Sequence, residues 1–575
     1  MFLQDLRFAF RTLRKAPAFS LTVALVLALG LGSTVLMFAI VNSVLLKGPP
    51  FPEAERLFTL WQRIPQEPRV SFSPHEFVAW QEQTQTFESL AFVTGTGFVL
   101  SGRGDPELII GRVATPSLFQ VLRAPAALGR VFTEEERDAQ VVVLTHALWR
   151  DKFNRRPDVL GQAITLNGQP YTIIGVLPES FELDGPQARL FVPASLASPN
   201  FAQNPNAHFL RVVGRLKAET TRAQLEAEMK LLGPRVVAPD DDTDRRFFAL
   251  SLQELTTGEL RAPLLVLLGA VAFLLLIACA NVANLMLARS HARQAEMAIR
   301  AALGASRPRL IAQLLTESTL LALIGGAAGL ALATWGLELL RRFAAADVPE
   351  LLHAQIDPLT LGFALIAAAG VGICLGLGPA LAVGHTSFQG ALKGATRTTA
   401  GSERLRQSLV FAEVAIAVVL LVGCALMLRS FSALLGVDPG FRPAGVVIAN
   451  LFLSEERYAD ALKMTQFYRA SLDAVRRLPG VEASGLVTHL PFDGNSWGNS
   501  FAVEGIAPPP PDAEPTAQIR PISRGYFAAM GIPLRAGRDF IAHDDVSSTG
   551  VAVVNELFAH RFWPNESPLG HRLRY

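Results

Sequence analysis

The sequence is poor in the residues that carry most catalysis and cross-linking. Its 575 residues include 3 cysteines, 5 tyrosines and 10 histidines. Cys279, Cys374 and Cys424 each lie inside an apolar run. That placement excludes a conventional disulfide framework and matches no metal spacing, so they read as small apolar packing residues. No G-x-x-x-x-G-K-[ST] segment occurs, so nothing here cradles nucleotide phosphates. ATP hydrolysis would have to come from another chain, and no cofactor is expected on this one. The H-E-x-x-H pattern is absent as well. His75-Glu76 and His543-Asp544-Asp545 come nearest to a catalytic or metal cluster. With no second ligand group at helical or hairpin spacing, they are expected to be solvated surface residues. No catalytic or metal-ligating residue is therefore expected, and the chain is not read as an enzyme. Charge is scarce too: 18% of residues are charged and the net charge is +2, which gives no field for nucleic acid.

What fills the space is apolar. Half of the residues are hydrophobic, more than an ordinary soluble chain carries. Five runs reach the roughly 20 residues that a bilayer crossing needs. They are 19–46, 262–288, 310–340, 359–383 and 409–435. The first is too long for a secretory h-region of about 7–15 residues and reads as a retained anchor. Its second half carries Ser33, Thr34, Asn42 and Ser43, which are expected to face other helices. Glu317 enters the third span about two turns inside its boundary, where snorkelling to the interface is expected.

Lysine and arginine set the orientation. Arg7, Arg11, Arg14 and Lys15 precede the first span; Arg289, Arg293, Arg300, Arg307 and Arg309 join the second and third; Lys393, Arg397, Arg404 and Arg406 join the fourth and fifth. These three segments fall on one side if each run crosses once. That side is expected to be the cytoplasm, with 47–261 and 436–575 outside. The fold class expected is an α-helical membrane protein with α+β extracytoplasmic domains.

The N-terminal 1–18 reads as an interfacial amphipathic helix on the lipid bilayer. Phe2, Leu6, Phe10 and Leu13 take one face, Arg7, Arg11 and Arg14 another, and Pro17 breaks the helix from the span. In the first outer region "QVVVLTHALWRDKF" is a strand and a helix start. "QAITLNGQPYTIIGVLP" is a hairpin turning at Asn167-Gly168. "HFLRVVGRLKAETTRAQLEAEMKLL" is a strand and a helix beginning near Thr220 or Thr221. The proline-rich 505–515 reads as a stiff connector.

An internal repeat runs at an offset of about 408 residues. "SLFQVLRAPAALGRVFTEEE" matches "GYFAAMGIPLRAGRDFIAHD", pairing Phe119 with Phe527, Gly129 with Gly537, Arg130 with Arg538 and Phe132 with Phe540. Further on, Leu148 is paired with Leu557, Phe153 with Phe562 and Gly161 with Gly570. The second copy stops at Tyr575, where the first has its hairpin. The expectation is an incomplete second repeat within a protein of about 800 residues or more.

"ARQAEMAIRAALGAS", from Ala292 to Ser306, lies between the second and third spans. Ala295, Ala298, Ile299 and Ala302 form a stripe of small and apolar side chains. Glu296 precedes Arg300 by four, Gly304 stands where a helix stops, Ser306 can cap the next helix and Pro308 fits its first turn. A short rigid helix presented to the cytoplasm at 292–304 suits insertion into a partner's groove.

"EMAIRAALGASRPRLIAQLLTES" resembles the signature of the FtsX-like permease domain of macrolide-exporter-type (MacB-like) and lipoprotein-releasing ABC transporters. The matching positions are Glu296, Ile299, Arg300, Ala302, Leu303, Gly304 and Ala305. "VLGQAITLNGQPYTIIGVLP" resembles the MacB-like periplasmic core domain. The opening "DLRFAFRTLRKAPAFSLTVALVLALGLG", the later "LVFAEVAIAVVLLVGCALMLRSFSALLGVDPGF" and the repeat are similar to the duplicated orphan permeases common in acidobacteria.

The resemblance implies an FtsX-like permease domain over 262–383, a MacB-like outer domain over 47–261, a cytoplasmic loop over 384–408 and a second, truncated outer domain over 436–575. It also implies an inner-membrane permease whose helix around Ala295, Glu296, Ala298, Ile299, Arg300, Ala302, Leu303 and Gly304 docks on a separate ABC ATPase. A periplasmic or outer-membrane partner fits the same resemblance; nucleic acid does not. Two other readings stay open: a non-transporting envelope sensor or regulator of a hydrolase or signalling partner, and an uncoupled membrane scaffold. Substrate identity is not legible.

Overall fold

The computed structural model describes the chain apart from residues 1, 65–66, 103–104, 182, 184–187, 195, 197–200, 202–204, 237–244, 293–298, 300–305, 345–353, 386–398, 452, 454–457, 459, 494–497, 507–514, 546 and 575. In chain order, helix α1 (Phe2–Lys15) leads into α2 (Pro17–Val41), which ends in a π-helical turn, Asn42–Leu46. The first outer region follows with β1 (Leu57–Ile64), β2 (Glu67–Val70), α3 (Pro74–Gln83), β3 (Phe87–Ser101), β4 (Glu107–Ala114), α4 (Leu118–Leu122), β5 (Leu128–Gly129), β6 (Val141–Leu144) and α5 (His146–Phe153). It continues with β7 (Ala163–Leu166), β8 (Gln169–Val176), β9 (Leu190–Pro193), β10 (Arg211–Leu216), α6 (Arg222–Val236) and β11 (Arg246–Ser251). Four long helices come next: α7 (Leu252–Ala292), α8 (Arg307–Ala344), α9 (Pro358–His385) and α10 (Thr399–Leu435). The last region holds α11 (Ala461–Arg476), β12 (Gly498–Ser500), β13 (Ala502–Val503), β14 (Thr516–Gln518), α12 (Tyr526–Met530), α13 (Glu556–Phe562) and β15 (Leu573–Arg574). The chain divides into two compact units, 1–49 with 253–436 and 50–252 with 437–575.

In the first unit, five helices among the described residues are long and apolar enough to cross a bilayer: Pro17–Leu46, Leu260–Arg289, Pro308–Phe343, Pro358–Leu377 and Gln407–Leu435. Glycine decides how they pack. A Cβ on Gly32 of α2 would lie 2.8 Å from the Gly329 carbonyl of α8, and one on Gly329 would lie 2.8 Å from the Gly32 nitrogen. The two backbones touch there, as small residues allow in a membrane. Around this crossing Val23, Leu27, Leu31, Val282, Leu321, Ala322, Ala368 and Leu375 form one buried cluster from α2, α7, α8 and α9. Phe38 and Phe363 stack at 4.0 Å between α2 and α9. Thr34 and Asn42 are buried on α2, as their polar character in an apolar span required. Glu317 is corrected: it is buried at 6% exposure and does not snorkel. Cys279 is half-buried, and Cys374 and Cys424 are exposed on their helices.

The first outer region is built on one 11-stranded mixed sheet in the order β11-β1-β10-β3-β4-β9-β6-β8-β5, with β2 beside β1 and β7 bridging β3 and β8. The β7–β8 hairpin turns at Asn167 and Gly168, both at positive φ (51° and 90°), with Leu166 opposite Gln169. That is the two-residue turn an Asn-Gly pair favours. Alternate residues of the strands feed two buried clusters. One is aromatic, around Phe72, Phe77, Trp80, Phe92 and Phe247 under α3 and α6; the other is aliphatic, around Val142, Leu144, Leu148, Ile164 and Ile173 under α5. Glu76 is also corrected. It is 2% exposed, closes a capping box with Ser73 at the start of α3, and accepts from the Gln62 amide at 2.5 Å. His75 beside it is exposed.

The internal repeat has a structural counterpart in the second outer region. α4 and α12 occupy matching positions, and each ends in a left-handed residue, Arg123 (φ 51°) and Gly531 (φ 64°). Gly129 (φ 72°) and Gly537 (φ 78°) also correspond. Arg130 makes a two-pronged ion pair with Glu136 (2.6 and 2.7 Å), and Arg538 makes the same pair with Asp544 (2.6 and 2.8 Å). Asp544 is thus engaged rather than merely solvated. Thr115 bonds the Phe92 backbone through its hydroxyl and N–H, and Ser523 bonds Leu486 in the same way.

One pairing shifts. Thr145 caps α5 by accepting from the Leu148 N–H, and Asn555 caps α13 by accepting from the Phe558 N–H. Leu148 therefore matches Phe558. Leu557, its expected partner, is 77% exposed, and the buried partner of Phe153 is Trp563 in place of Phe562. Relative to the Arg130 and Arg538 pairs, the second copy gains two residues before this helix and loses one after it, before Gly570, which sequence letters alone do not place.

Candidate coupling segment

The loop between the second and third spans is held by two long helices. α7 has 41 residues, about 60 Å at 1.5 Å each, roughly twice the hydrocarbon thickness of a bilayer. It begins at Leu252, the residue after β11 ends, and runs to Ala292. Pro263 lies inside it near the start of the span. Three residues before its end, the Arg289 guanidinium sits 4.2 Å from the centre of the Phe19 ring and reaches the Thr12 carbonyl at 3.5 Å. Beyond the loop, the Ser306 carbonyl accepts from the Arg309 and Leu310 N–H groups and α8 begins, with Pro308 in its first turn.

Of the residues expected to couple, Ala295, Glu296, Ala298, Arg300, Ala302, Leu303 and Gly304 lie outside the described residues. Ile299 is described: it is helical and 60% exposed. An exposed branched apolar side chain on a segment slung between two spans is a knob a partner's groove can take. In the N-terminal helix Arg7, Arg11 and Phe10 are exposed and Leu13 is buried; the side chains of Phe2 and Leu6 lie outside the described ones.

Opposite this loop along the spans, a polar clasp gathers three helices around the π turn that ends the first span. Asp357 sits before the first residue of α9 and accepts from the Thr360 N–H (2.8 Å) and hydroxyl (2.6 Å), the Asn42 amide (2.9 Å) and the Lys47 ammonium (3.2 Å). Gln253 of α7 donates to the Leu45 carbonyl at 2.7 Å. The Thr360 hydroxyl and N–H, then Lys47 and Asn42, hold the Asp357 carboxyl far below the usual carboxylate range. π turns inside helices often mark functional positions. Nothing in sequence spacing joins Asn42 to Asp357, 315 residues away; the signal was an acid just before a proline-led span.

Two further features were not legible. Within the apolar layer the Asn281 amide of α7 donates to the Glu413 carboxylate of α10 at 2.5 Å. A hydrogen bond between spans is one of the few strong attractions available in lipid. In the outer region Arg215 of β10 is fully buried. Its guanidinium donates to the carbonyls of Val121 (2.7 Å), Pro52 (3.0 Å) and Glu53 (3.3 Å). It ties the stretch where the outer region begins to the central strand, and burial lowers its pKa. Arg211, the first residue of the same strand, is pushed down to about 10 by burial and then by Arg112.

Against known protein families, the MacB-like periplasmic core domain matches residues 20–232 and the FtsX-like permease C-terminal domain matches residues 268–388. A pyoverdine export ATP-binding/permease protein of Pseudomonas syringae pv. tomato is 28% identical over 278 residues, 47% of this chain and 41% of that protein. An uncharacterized ABC transporter permease of Bacillus subtilis is 27% identical over 267 residues, 44% of this chain and 62% of that protein. The crystallised periplasmic region of MacB from Actinobacillus actinomycetemcomitans is 15% identical, with a TM-score of 0.29 over 36% of this chain and 93% of that one. The chain thus spans about half the length of the curated relatives it matches. With its apolar spans and mixed-sheet outer region, it belongs to the ABC transporter permeases that join a MacB-like periplasmic core domain to an FtsX-like permease domain. It is a multi-pass protein of the inner membrane.

Proposed function

We propose that this chain is the permease subunit of a bacterial export or efflux system and works by transmitting movement. A separate ATPase dimer closes on ATP and pushes the cytoplasmic segment Glu296–Leu303. The spans carry that push to the outer domains, which act on substrate in the periplasm, and the N-terminus lies in the cytoplasm. Ala295, Ala298 and Ile299 form the packing face, Glu296 and Arg300 an orienting pair, and Gly304 the stop.

The observation that carries this reading is α7. It is one helix from the residue after β11 to the base of the cytoplasmic segment. A helix of about 60 Å that no loop interrupts, with Pro263 as its one weak point, passes a displacement on where a loop would absorb it. The exposed Ile299 gives the helix's cytoplasmic end something to be pushed by.

The test is purification of the protein from its own host membranes with measurement of co-purifying ATPase and of the hydrolysis the complex supports. Gly304→Val places a β-branched side chain at the helix stop and should abolish association or stimulated hydrolysis. Wild-type association and turnover in that variant would contradict the docking. They would favour a regulator or a scaffold instead.

A further inference from the structure

The N-terminal helix carries a second binding surface, and its three sectors identify the ligand. At 100° per residue, Ala9 and Leu13 share one face of α1, and both are buried. The Ser20 hydroxyl donates to the Leu13 carbonyl at 2.9 Å, fastening that end to α2. Phe10 stands beside the buried face and is 60% exposed. Arg7, Arg11, Arg14 and Lys15 follow on the remaining arc, all exposed. Among the described residues none of the four has an acid partner. A bare aromatic bordered by a basic arc, on a helix leading into a span, matches an anionic headgroup lying over an acyl layer. A soluble acidic partner would satisfy the cations and leave Phe10 in water.

We propose that α1 binds anionic phospholipid, with headgroup phosphates on Arg7, Arg11, Arg14 and Lys15 and Phe10 at the acyl boundary. Arg289 gives the site a reach beyond anchoring. It touches the Thr12 carbonyl of α1 and the Phe19 ring of α2, and it lies three residues from the end of α7, where the cytoplasmic segment begins. Lipid bound to α1 therefore steadies the base of that segment. The inference rests on α2 crossing the membrane and not on ATPase coupling, so the two fail separately.

The experiment uses the full chain in phosphatidylcholine bilayers with spin-labelled phosphatidylglycerol or phosphatidylcholine as probe. Electron paramagnetic resonance reads the motionally restricted fraction of each. Wild type should prefer the phosphatidylglycerol probe several-fold, and the preference should shrink in 0.5 M NaCl. Each cation at the surface contributes up to about five-fold. R7Q/R11Q/R14Q should bring the preference close to that of a protein without the site, while R7K/R11K/R14K should keep it. No preference in wild type, an unchanged preference in the glutamine variant, or its loss in the lysine variant would each overturn the proposal.

Discussion

Replacing Asp357 by alanine removes the centre of the clasp around the first span's π turn. Three separate losses follow. The cap of α9 goes, since Asp357 accepts from the Thr360 N–H; such a loss costs about 0.5–2 kcal/mol. The Asn42 amide is 1% exposed and has Asp357 as its acceptor, so leaving it unpaired costs about 1–3 kcal/mol. The Lys47 ion pair, with the lysine side chain 41% exposed, contributes at most about 1 kcal/mol. Together the change should destabilise the helix bundle by about 1.5–6 kcal/mol. Thermal unfolding of the full chain in bilayer nanodiscs reads it. Asp357→Asn, which keeps an oxygen for Asn42 but loses the charge, should fall between the variant and wild type. An Asn42→Ala and Asp357→Ala cycle should show coupling above about 0.5 kcal/mol, since the two side chains touch. A D357A protein within about 0.5 kcal/mol of wild type, or strict additivity, would refute the claim that this contact holds the spans together.

Gly32→Val forces a side chain into the Gly329 backbone, 2.8 Å away for the first added carbon, and should cost at least about 1–3 kcal/mol. Gly362→Ala, with open space around the new carbon, should leave the same unfolding midpoint unchanged. Arg215→Met strips three carbonyls of their donor and should cost at least about 2 kcal/mol, read as earlier proteolysis of the outer domain within the full chain. The Asp544 carboxyl is lowered to about 2 by the Arg538 guanidinium and the Ile541 N–H. Its folded value lies below the unfolded one, so its pairing stabilises fully above about pH 4 and is lost as pH falls toward 2. Carboxyl carbon resonances of the labelled chain should show this late titration, and Arg538→Gln should move it up.

How much could be read beforehand depends on the range of each interaction. The spans, the Asn167-Gly168 hairpin, the Thr221 helix start and the repeat are local patterns of period, turn chemistry and order, and a sequence carries them openly. Glu76 looked solvated as an acid beside a histidine with no further ligand group near it in sequence; it is buried, and two of its partners, Gln62 and His208, come from other parts of the chain. Glu317 looked free to snorkel because a single span has no inner side until the other helices close around it. Asp357 with Asn42, Asn281 with Glu413, and Arg215 with Pro52 are pairs of distant residues, each unremarkable alone. Their meaning comes from the fold. The slip from Leu557 to Phe558 has a similar cause, since a capping bond sets a helix register that aligned letters leave open by one.

The central claim is that ATP closure at the cytoplasmic segment reaches the outer domain through α7. Hydrogen-exchange mass spectrometry on the full chain bound to its ATPase, with and without trapped ATP, tests it most directly at residues 246–254, where β11 passes into α7. The account predicts that ATP changes protection there together with protection at 292–306. A change confined to 292–306, with 246–254 exchanging identically in both states, would contradict it.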